Sequence, residues 1–257
     1  MKPLAELDPA GVRAVLLDLD DTLTTDGKLT SQAYAALERL HRAGLRVVPV
    51  SGRPAGWCDH IARMWPVDAV IGENGAFYFF YADKRLHKQF HDTREIRTEK
   101  RARLNAIAEE IMAAVPGSAL ASDQPYRETD LAIDYCEDVP PLPVESAERI
   151  AQLMRAAGLS AKVSSIHVNG WFGDYDKLAM TRRLFADRFA VDIDRANREI
   201  VFAGDSPNDA PMFGFFENSV GVANVRRFER VLAEKPKFVT SHAAGAGFAE
   251  LAEHLLL

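Results

Sequence analysis

Asp18, Asp20 and Thr22 form an Asp-x-Asp-x-Thr series at the end of the apolar run Val15-Leu16-Leu17. Side chains alternate across a strand, so the two carboxylates share one side of the chain while Leu17 and Leu19 pack on the other. Paired carboxylates are costly to bury unless something compensates them. A divalent cation, a basic neighbour or a shared proton would do so, and the first would make the series a metal-assisted site. An acidic turn capping the strand would use the same residue types.

Three further polar clusters follow the same logic. Ser51-Gly52-Arg53 follows the apolar run Val47-Val48-Pro49-Val50, which sets a hydroxyl and an open backbone amide at a strand end. Such a pair suits a phosphate oxygen, and it also suits a helix N-cap. Gly204-Asp205-Ser206-Pro207-Asn208-Asp209 follows Ile200-Val201-Phe202-Ala203. Asp205 can join Asp18 around a small hard cation, a role Mg²⁺ fills with a few carboxylates, water and substrate oxygens. Asn208 and Asp209 then stand behind that shell. Asp176-Lys177 opens a helical pattern, and its ammonium is the compact countercharge that several carboxylates and a phosphoryl group require.

The elements that deliver these clusters read as strands and helices in alternation. Strands are predicted at 14–19, 45–50 and 69–71, with helices at 31–43 and 55–64 between them. That β-α-β-α-β order favours a parallel sheet covered by helices, with ligands gathered at the carboxyl ends of its strands. The pattern changes after Gly75. An aromatic strand at 77–81 and a partner at 86–90 make a hairpin, followed by a charged helix at 95–115, a strand at 131–135, a helix at 144–157 and a strand at 161–168. The first alternation then resumes with a helix at 176–189, a strand at 199–203, a short helix at 207–213, strands at 219–222 and 237–239, and a helix at 247–256. The chain therefore reads as a Rossmann-like α/β core, residues 1–78 and 173–257, interrupted by an α+β unit at 79–172.

Composition narrows the class. The 257 residues carry a net charge of −6 and are 47% hydrophobic, which argues against disorder and lacks the positive field of a nucleic-acid binder. No run approaches membrane-spanning length, and the opening residues do not read as a signal peptide. Cys58 and Cys136 have neither metal-ligand nor redox spacing and read as reduced thiols of a cytoplasmic protein.

Taken together, the four clusters resemble the haloacid dehalogenase superfamily of phosphotransferases, whose motifs are an Asp-x-Asp-x-Thr, a Ser or Thr, a Lys and a final Gly-Asp-x-x-x-Asp. The interruption entered through Gly72-Glu73-Asn74-Gly75-Ala76 resembles the type II cap of that superfamily, in its IIB or Cof-type form. Asp21 departs from the pattern, since many members carry Gly there. The resemblance implies a Mg²⁺-dependent phosphatase acting on a small phosphomonoester as partner, as a monomer or homodimer. It assigns Asp18 as the nucleophile that forms an aspartyl-phosphate, Asp20 as the acid and base, and Ser51 and Lys177 as holders of the phosphoryl oxygens. It makes Asp18, the Asp20 backbone carbonyl and Asp205 the metal ligands, with Thr22, Asn208 and Asp209 behind them and Asp209 orienting Lys177.

In that superfamily the cap reads the leaving group. Candidate readers here are Gly52, Arg53, Glu73 and Asn74 at the rim and Arg127, Asp134, His167 and Asn169 from the cap, the last two sharing a face by alternation. The Gly-Asp-Ser-Pro-Asn-Asp form of the last motif is similar to that of mannosyl-3-phosphoglycerate and sucrose-phosphate phosphatases, which points to a sugar phosphate or phosphorylated glycoside. A phosphosugar mutase of the same superfamily and a non-catalytic phosphosugar-binding regulator are the rival readings.

Overall fold

The computed structural model describes residues 1–164 and 166–257. In chain order the elements are β1 (Lys2–Pro3), β2 (Ala14–Leu17), α1 (Ser31–Arg42), β3 (Arg46–Pro49), α2 (Ala55–Met64), β4 (Val70–Gly72), β5 (Phe77–Ala82) and β6 (Arg85–Phe90). They continue with α3 (Arg94–Ala114), β7 (Ala119–Leu120), β8 (Leu131–Asp134), α4 (Val144–Ala156), β9 (Ser160–Val163) and β10 (His167–Trp171). The last are α5 (Lys177–Phe189), β11 (Ile200–Gly204), α6 (Ala210–Phe215), β12 (Asn218–Gly221), β13 (Phe238–Val239) and α7 (Ala244–Leu255). No helix among the described residues is long and apolar enough to cross a membrane.

The chain divides into two compact units: Met1–Gly52, Cys58–Gln89 and Asp176–Leu257 in one, Arg53–Trp57 and Phe90–Tyr175 in the other. A six-stranded sheet in the order β1-β13-β12-β11-β2-β3 runs through the first. Every pairing in it is parallel. Strands covered on both faces need continuous apolar sequence, and all four residues of β2 and all five of β11 are buried. Leu16, Val48, Phe202 and Phe213 lie in one core cluster.

Two strand expectations change in this unit. The strand expected at 14–19 stops at Leu17, because the Leu19 carbonyl leaves the ladder to accept the amides of Leu23 and Thr24 at 3.0 and 2.9 Å. β4 joins the parallel sheet through an isolated bridge from Ile71 to Val50, and it pairs antiparallel with β5. Three successive left-handed residues turn the chain there: Glu73 (φ 42°), Asn74 (φ 58°) and Gly75 (φ 104°). A core segment ending at residue 78 would split β5 after its second residue. Tyr78 instead packs in the same cluster as Leu16, so the first unit runs on to Gln89 and resumes at Asp176.

In the second unit an antiparallel sheet of order β7-β8-β10-β9 packs against α3 and α4 through Leu104, Ile111, Ile150, Met154 and Val168. The single strand expected at 161–168 is instead two strands of a hairpin, β9 and β10. Ser164 closes it, donating from both its amide and its hydroxyl to the His167 carbonyl at 2.8 and 2.9 Å. Ser165, within that expected strand, lies outside the described residues.

Candidate functional site

Asp18 follows the last residue of β2, and its amide still donates to the Ala203 carbonyl of β11 at 2.9 Å. The ladder therefore fixes the backbone at the point where the carboxylate begins. Leu19 is buried, Asp20 half-buried and Asp21 exposed. Asp21 holds φ 56°, a left-handed conformation that Asp tolerates better than most residues and that glycine adopts freely.

Ser51 is buried at the end of the neighbouring strand, and its amide donates to Ile71 at 2.9 Å. Its carbonyl accepts the Asn74 amide at 3.1 Å. The Asn74 side chain lies over Gly52, where an added Cβ would approach its Oδ1 to 3.2 Å. Both Glu73 and Asn74 are buried in this turn. Gly75 presses on the start of α5 so closely that a Cβ would lie 2.1 Å from the Asp176 carbonyl oxygen. One turn thus supports the Ser51 loop and the backbone that carries Lys177.

Asp176 caps α5, its Oδ1 accepting the Ala179 amide at 2.7 Å. Lys177 occupies the first helical position, where the helix dipole disfavours a cation. Two carboxylates offset that cost: the ammonium donates to Asp18 Oδ1 at 2.7 Å and to Asp209 Oδ1 at 2.9 Å, and all three residues are buried. The other oxygen of Asp209 accepts the Asp205 and Ser206 amides at 3.1 and 3.4 Å. Gly204 makes this approach possible, since a Cβ there would lie 2.5 Å from Asp209 Oδ2. Thr22 is buried with its hydroxyl 3.5 Å from Asp205 Oδ1. Asn208 is half-buried in the Pro207–Asp209 turn.

Carboxylate oxygens of Asp18, Asp205 and Asp209 lie within 4.8 Å of one another. One ammonium against three carboxylates leaves this buried cluster short of positive charge. Burial pushes the Asp18 carboxyl up to about 7 against the pull of Lys177, with the Asp209 and Asp20 charges adding to the rise. Asp205 rises further, to about 9, through burial and then the charges of Asp18, Asp209 and Asp21. Burial also disfavours the Lys177 charge, but Asp18 and Asp209 outweigh it and raise the lysine above its ordinary value. An all-oxygen cluster with excess negative charge fits a hard divalent cation. Asp209 is the most heavily bonded of the three, accepting Lys177 and two backbone amides, so Asp18 and Asp205 suit ligand roles better.

The candidates in the second unit are bound up in its own structure. Arg127 is buried between Asp123 and Asp130, with four contacts of 2.9 to 3.1 Å. Asn169 donates to Asp130 Oδ2 at 3.3 Å. Asp134 accepts the amides of Cys136, Glu137 and Asp138 at 2.8 to 2.9 Å and so caps the turn after β8. His167 is buried with Nε2 2.8 Å from Glu137 Oε2, an approach without the alignment of a hydrogen bond. Burial and then the Arg127 charge oppose its protonation, and its pKa is lowered although Glu137 pulls the other way. The Arg53 guanidinium stacks 4.4 Å above the Trp57 ring. Trp171 and Phe172 are buried, with Arg103 4.0 Å above Phe172.

Asn224 belongs to the site although its sequence gives little sign of it. Its side-chain nitrogen donates to Asp205 Oδ2 at 3.0 Å and to the Asp21 carbonyl at 2.9 Å, and its oxygen accepts the Ala244 amide at 2.9 Å. The available signal is positional: it is a polar residue three places past strand β12, at the strand end where the other clusters sit.

A family model described as haloacid dehalogenase-like hydrolase matches residues 15–113. The chain also resembles a solved Thermoplasma acidophilum protein, with 19% identity, a TM-score of 0.73, and 95% of this chain and 98% of that one covered. A sucrose-phosphatase from Synechocystis, solved with sucrose and phosphate, is 15% identical with a TM-score of 0.64, covering 94% and 97% of the two chains. The C-terminal domain of a C. albicans trehalose-6-phosphate phosphatase is 15% identical with a TM-score of 0.66, covering 95% and 92%. At these identities the likeness is one of fold, and the fold is a parallel-sheet core with a separate α+β unit.

Proposed function

We propose that this chain, whose residues 15–113 match a haloacid dehalogenase-like hydrolase model, is a Mg²⁺-dependent phosphatase of that superfamily that hydrolyses a small phosphomonoester through an aspartyl-phosphate on Asp18. The observation that carries this reading is the Lys177 ammonium held between Asp18 and Asp209 beside Asp205, at the carboxyl ends of adjacent parallel strands. A buried carboxylate set against a fixed cation is the arrangement that phosphoryl transfer uses, because little covalent chemistry is left to the protein beyond positioning and charge stabilisation.

Asp18, Asp205 and the Asp20 backbone carbonyl would hold Mg²⁺. When bound, the cation supplies the positive charge that keeps Asp18 ionised and neutralises the phosphoryl oxygens. Asp18 attacks phosphorus in line, forming an acyl phosphate as the bond to the leaving oxygen breaks. Asp20, half-buried and two residues away, gives its proton to the leaving alkoxide and then takes one from the water that attacks phosphorus and frees Asp18. The Ser51 hydroxyl, the Gly52 amide and Lys177 hold the transferring phosphoryl oxygens, and Asp209 keeps Lys177 aimed at them.

Sugar phosphates are the favoured substrate class. The form of the last motif and the sugar-phosphate phosphatases among the fold relatives support this choice. A phosphate-release screen over hexose and disaccharide phosphates, nucleotides and phosphorylated cofactors tests it, each with Mg²⁺ and with a chelator. The reading expects Mg²⁺-dependent release, greatest among sugar phosphates. An isomerised sugar phosphate without free phosphate would make the chain a mutase, and no turnover of any compound would count against an enzyme.

A further inference from the structure

We infer that Asn224 is the positioning residue that sets the Asp205 carboxylate for cation binding, a role that rests on the reading of Asp205 as a ligand. A carboxylate is a good ligand only if its orientation is fixed, and the groups behind it supply that orientation. Among the described residues Asp205 has two such groups. Thr22 is the weaker, with its hydroxyl 3.5 Å from Oδ1. Asn224 is the stronger, its amide nitrogen 3.0 Å from Oδ2.

The Asn224 side chain is itself held at both ends, which makes it more than a chance neighbour. Its second N–H donates to the Asp21 carbonyl at 2.9 Å, and its oxygen accepts the Ala244 amide at 2.9 Å. One amide therefore joins the loop after β2, the loop after β11 and the first residue of α7. These bonds fix which end of the amide is nitrogen, since the Ala244 N–H needs an acceptor and the Asp21 carbonyl needs a donor. A neutral donor is also the right chemistry for the place. Another carboxylate at 224 would repel Asp205, whereas the N–H 3.0 Å from its Oδ2 favours its charged form without competing for the cation.

The start of α7 offers a control that shares the seam and leaves Asp205 alone. The Gly245 amide donates to the Thr25 hydroxyl at 3.3 Å, next to the Ala244 contact. If Asn224 only pinned α7, loss of the Thr25 contact would act in the same way.

The test is Mn²⁺ binding to the full chain, measured by titration calorimetry without substrate, with thermal unfolding recorded in parallel. Asn224→Ala is expected to weaken Mn²⁺ binding by about 10- to 100-fold, while Thr25→Val keeps the wild-type affinity. Should Asn224→Ala fold poorly, Asn224→Ser serves instead, since its short side chain cannot span the three partners. Wild-type affinity in a folded Asn224 variant overturns the inference and leaves the phosphatase reading standing. An equal loss in Thr25→Val also overturns it, by making the effect one of the seam. A wild-type protein that binds no Mn²⁺ overturns both this inference and the metal-dependent reading.

Discussion

The Lys177 ammonium lies 2.7 Å from Asp18 Oδ1, although 159 residues separate the two in sequence. The contact is made at the junction of a strand end and a helix start, the two places where a side chain can leave a parallel sheet and still be rigidly held. It also ties the stability of the site to its chemistry, because each charge would be costly to bury alone.

Lys177→Met should therefore act twice. Removing one partner of a buried ion pair is expected to cost about 3–5 kcal/mol of stability, and loss of the charge proposed to hold the phosphoryl oxygens should lower kcat by about 10²- to 10³-fold. Denaturant unfolding and steady-state kinetics on the same preparation measure both. Loss of activity with undiminished stability would contradict the buried-pair account.

The sign of the pH dependence follows from the raised carboxyls. Asp18 and Asp205 are raised to about 7 and about 9 against an ordinary value of 3.8, so between pH 4 and pH 9 these two groups hold more protons in the folded state than in the unfolded one, outweighing the lowered His167. Stability then falls as pH rises through that window. Chelated protein should show a melting temperature that declines from pH 5 to pH 9. Added Mg²⁺ should raise it more at pH 8 than at pH 5, because protons compete for the same oxygens. A Mg²⁺ effect that is larger at pH 5 would be inconsistent with the carboxylate cluster as the cation site.

Gly75→Ala tests the support under α5. The position combines φ 104° with an approach of 2.1 Å to the Asp176 carbonyl oxygen, so a methyl group must displace the backbone that carries Lys177. An overpacking cost of about 1–3 kcal/mol is expected, with kcat falling more than KM rises. Unchanged kcat in the folded variant would mean that the turn does not position Lys177.

Much of this site was legible in the sequence, for a simple reason. Four clusters, at Asp18, Ser51, Lys177 and Asp205, break apolar or helical patterns at the ends where a parallel sheet collects its side chains, and the pattern itself announces them. Asn224 escaped because a single amide after Val220-Gly221-Val222-Ala223 carries no charge, and its value lies entirely in three long-range hydrogen bonds. The end of β2 at Leu17 and the antiparallel return of β5 were likewise out of reach. Both depend on turn bonds and left-handed residues that alternation does not encode.

The second unit gives a contrary lesson through Arg127. A basic residue in a cap invites a substrate-binding role, yet its guanidinium is buried between Asp123 and Asp130. Arg127→Met is expected to leave two carboxylates without their partner and to destabilise the protein by about 3–5 kcal/mol. A raised KM for the best substrate with an unchanged melting temperature would restore the substrate-binding role.

The central claim is that Asp18 is the nucleophile of a Mg²⁺-dependent phosphatase, and the direct measurement is phosphate release from p-nitrophenyl phosphate by the wild type and by Asp18→Asn. The amide retains the size of the carboxylate, so circular dichroism should report an unchanged fold. The account predicts Mg²⁺-dependent release by the wild type and a fall of about 10³-fold or more in the variant. Equal turnover by the two proteins would contradict it.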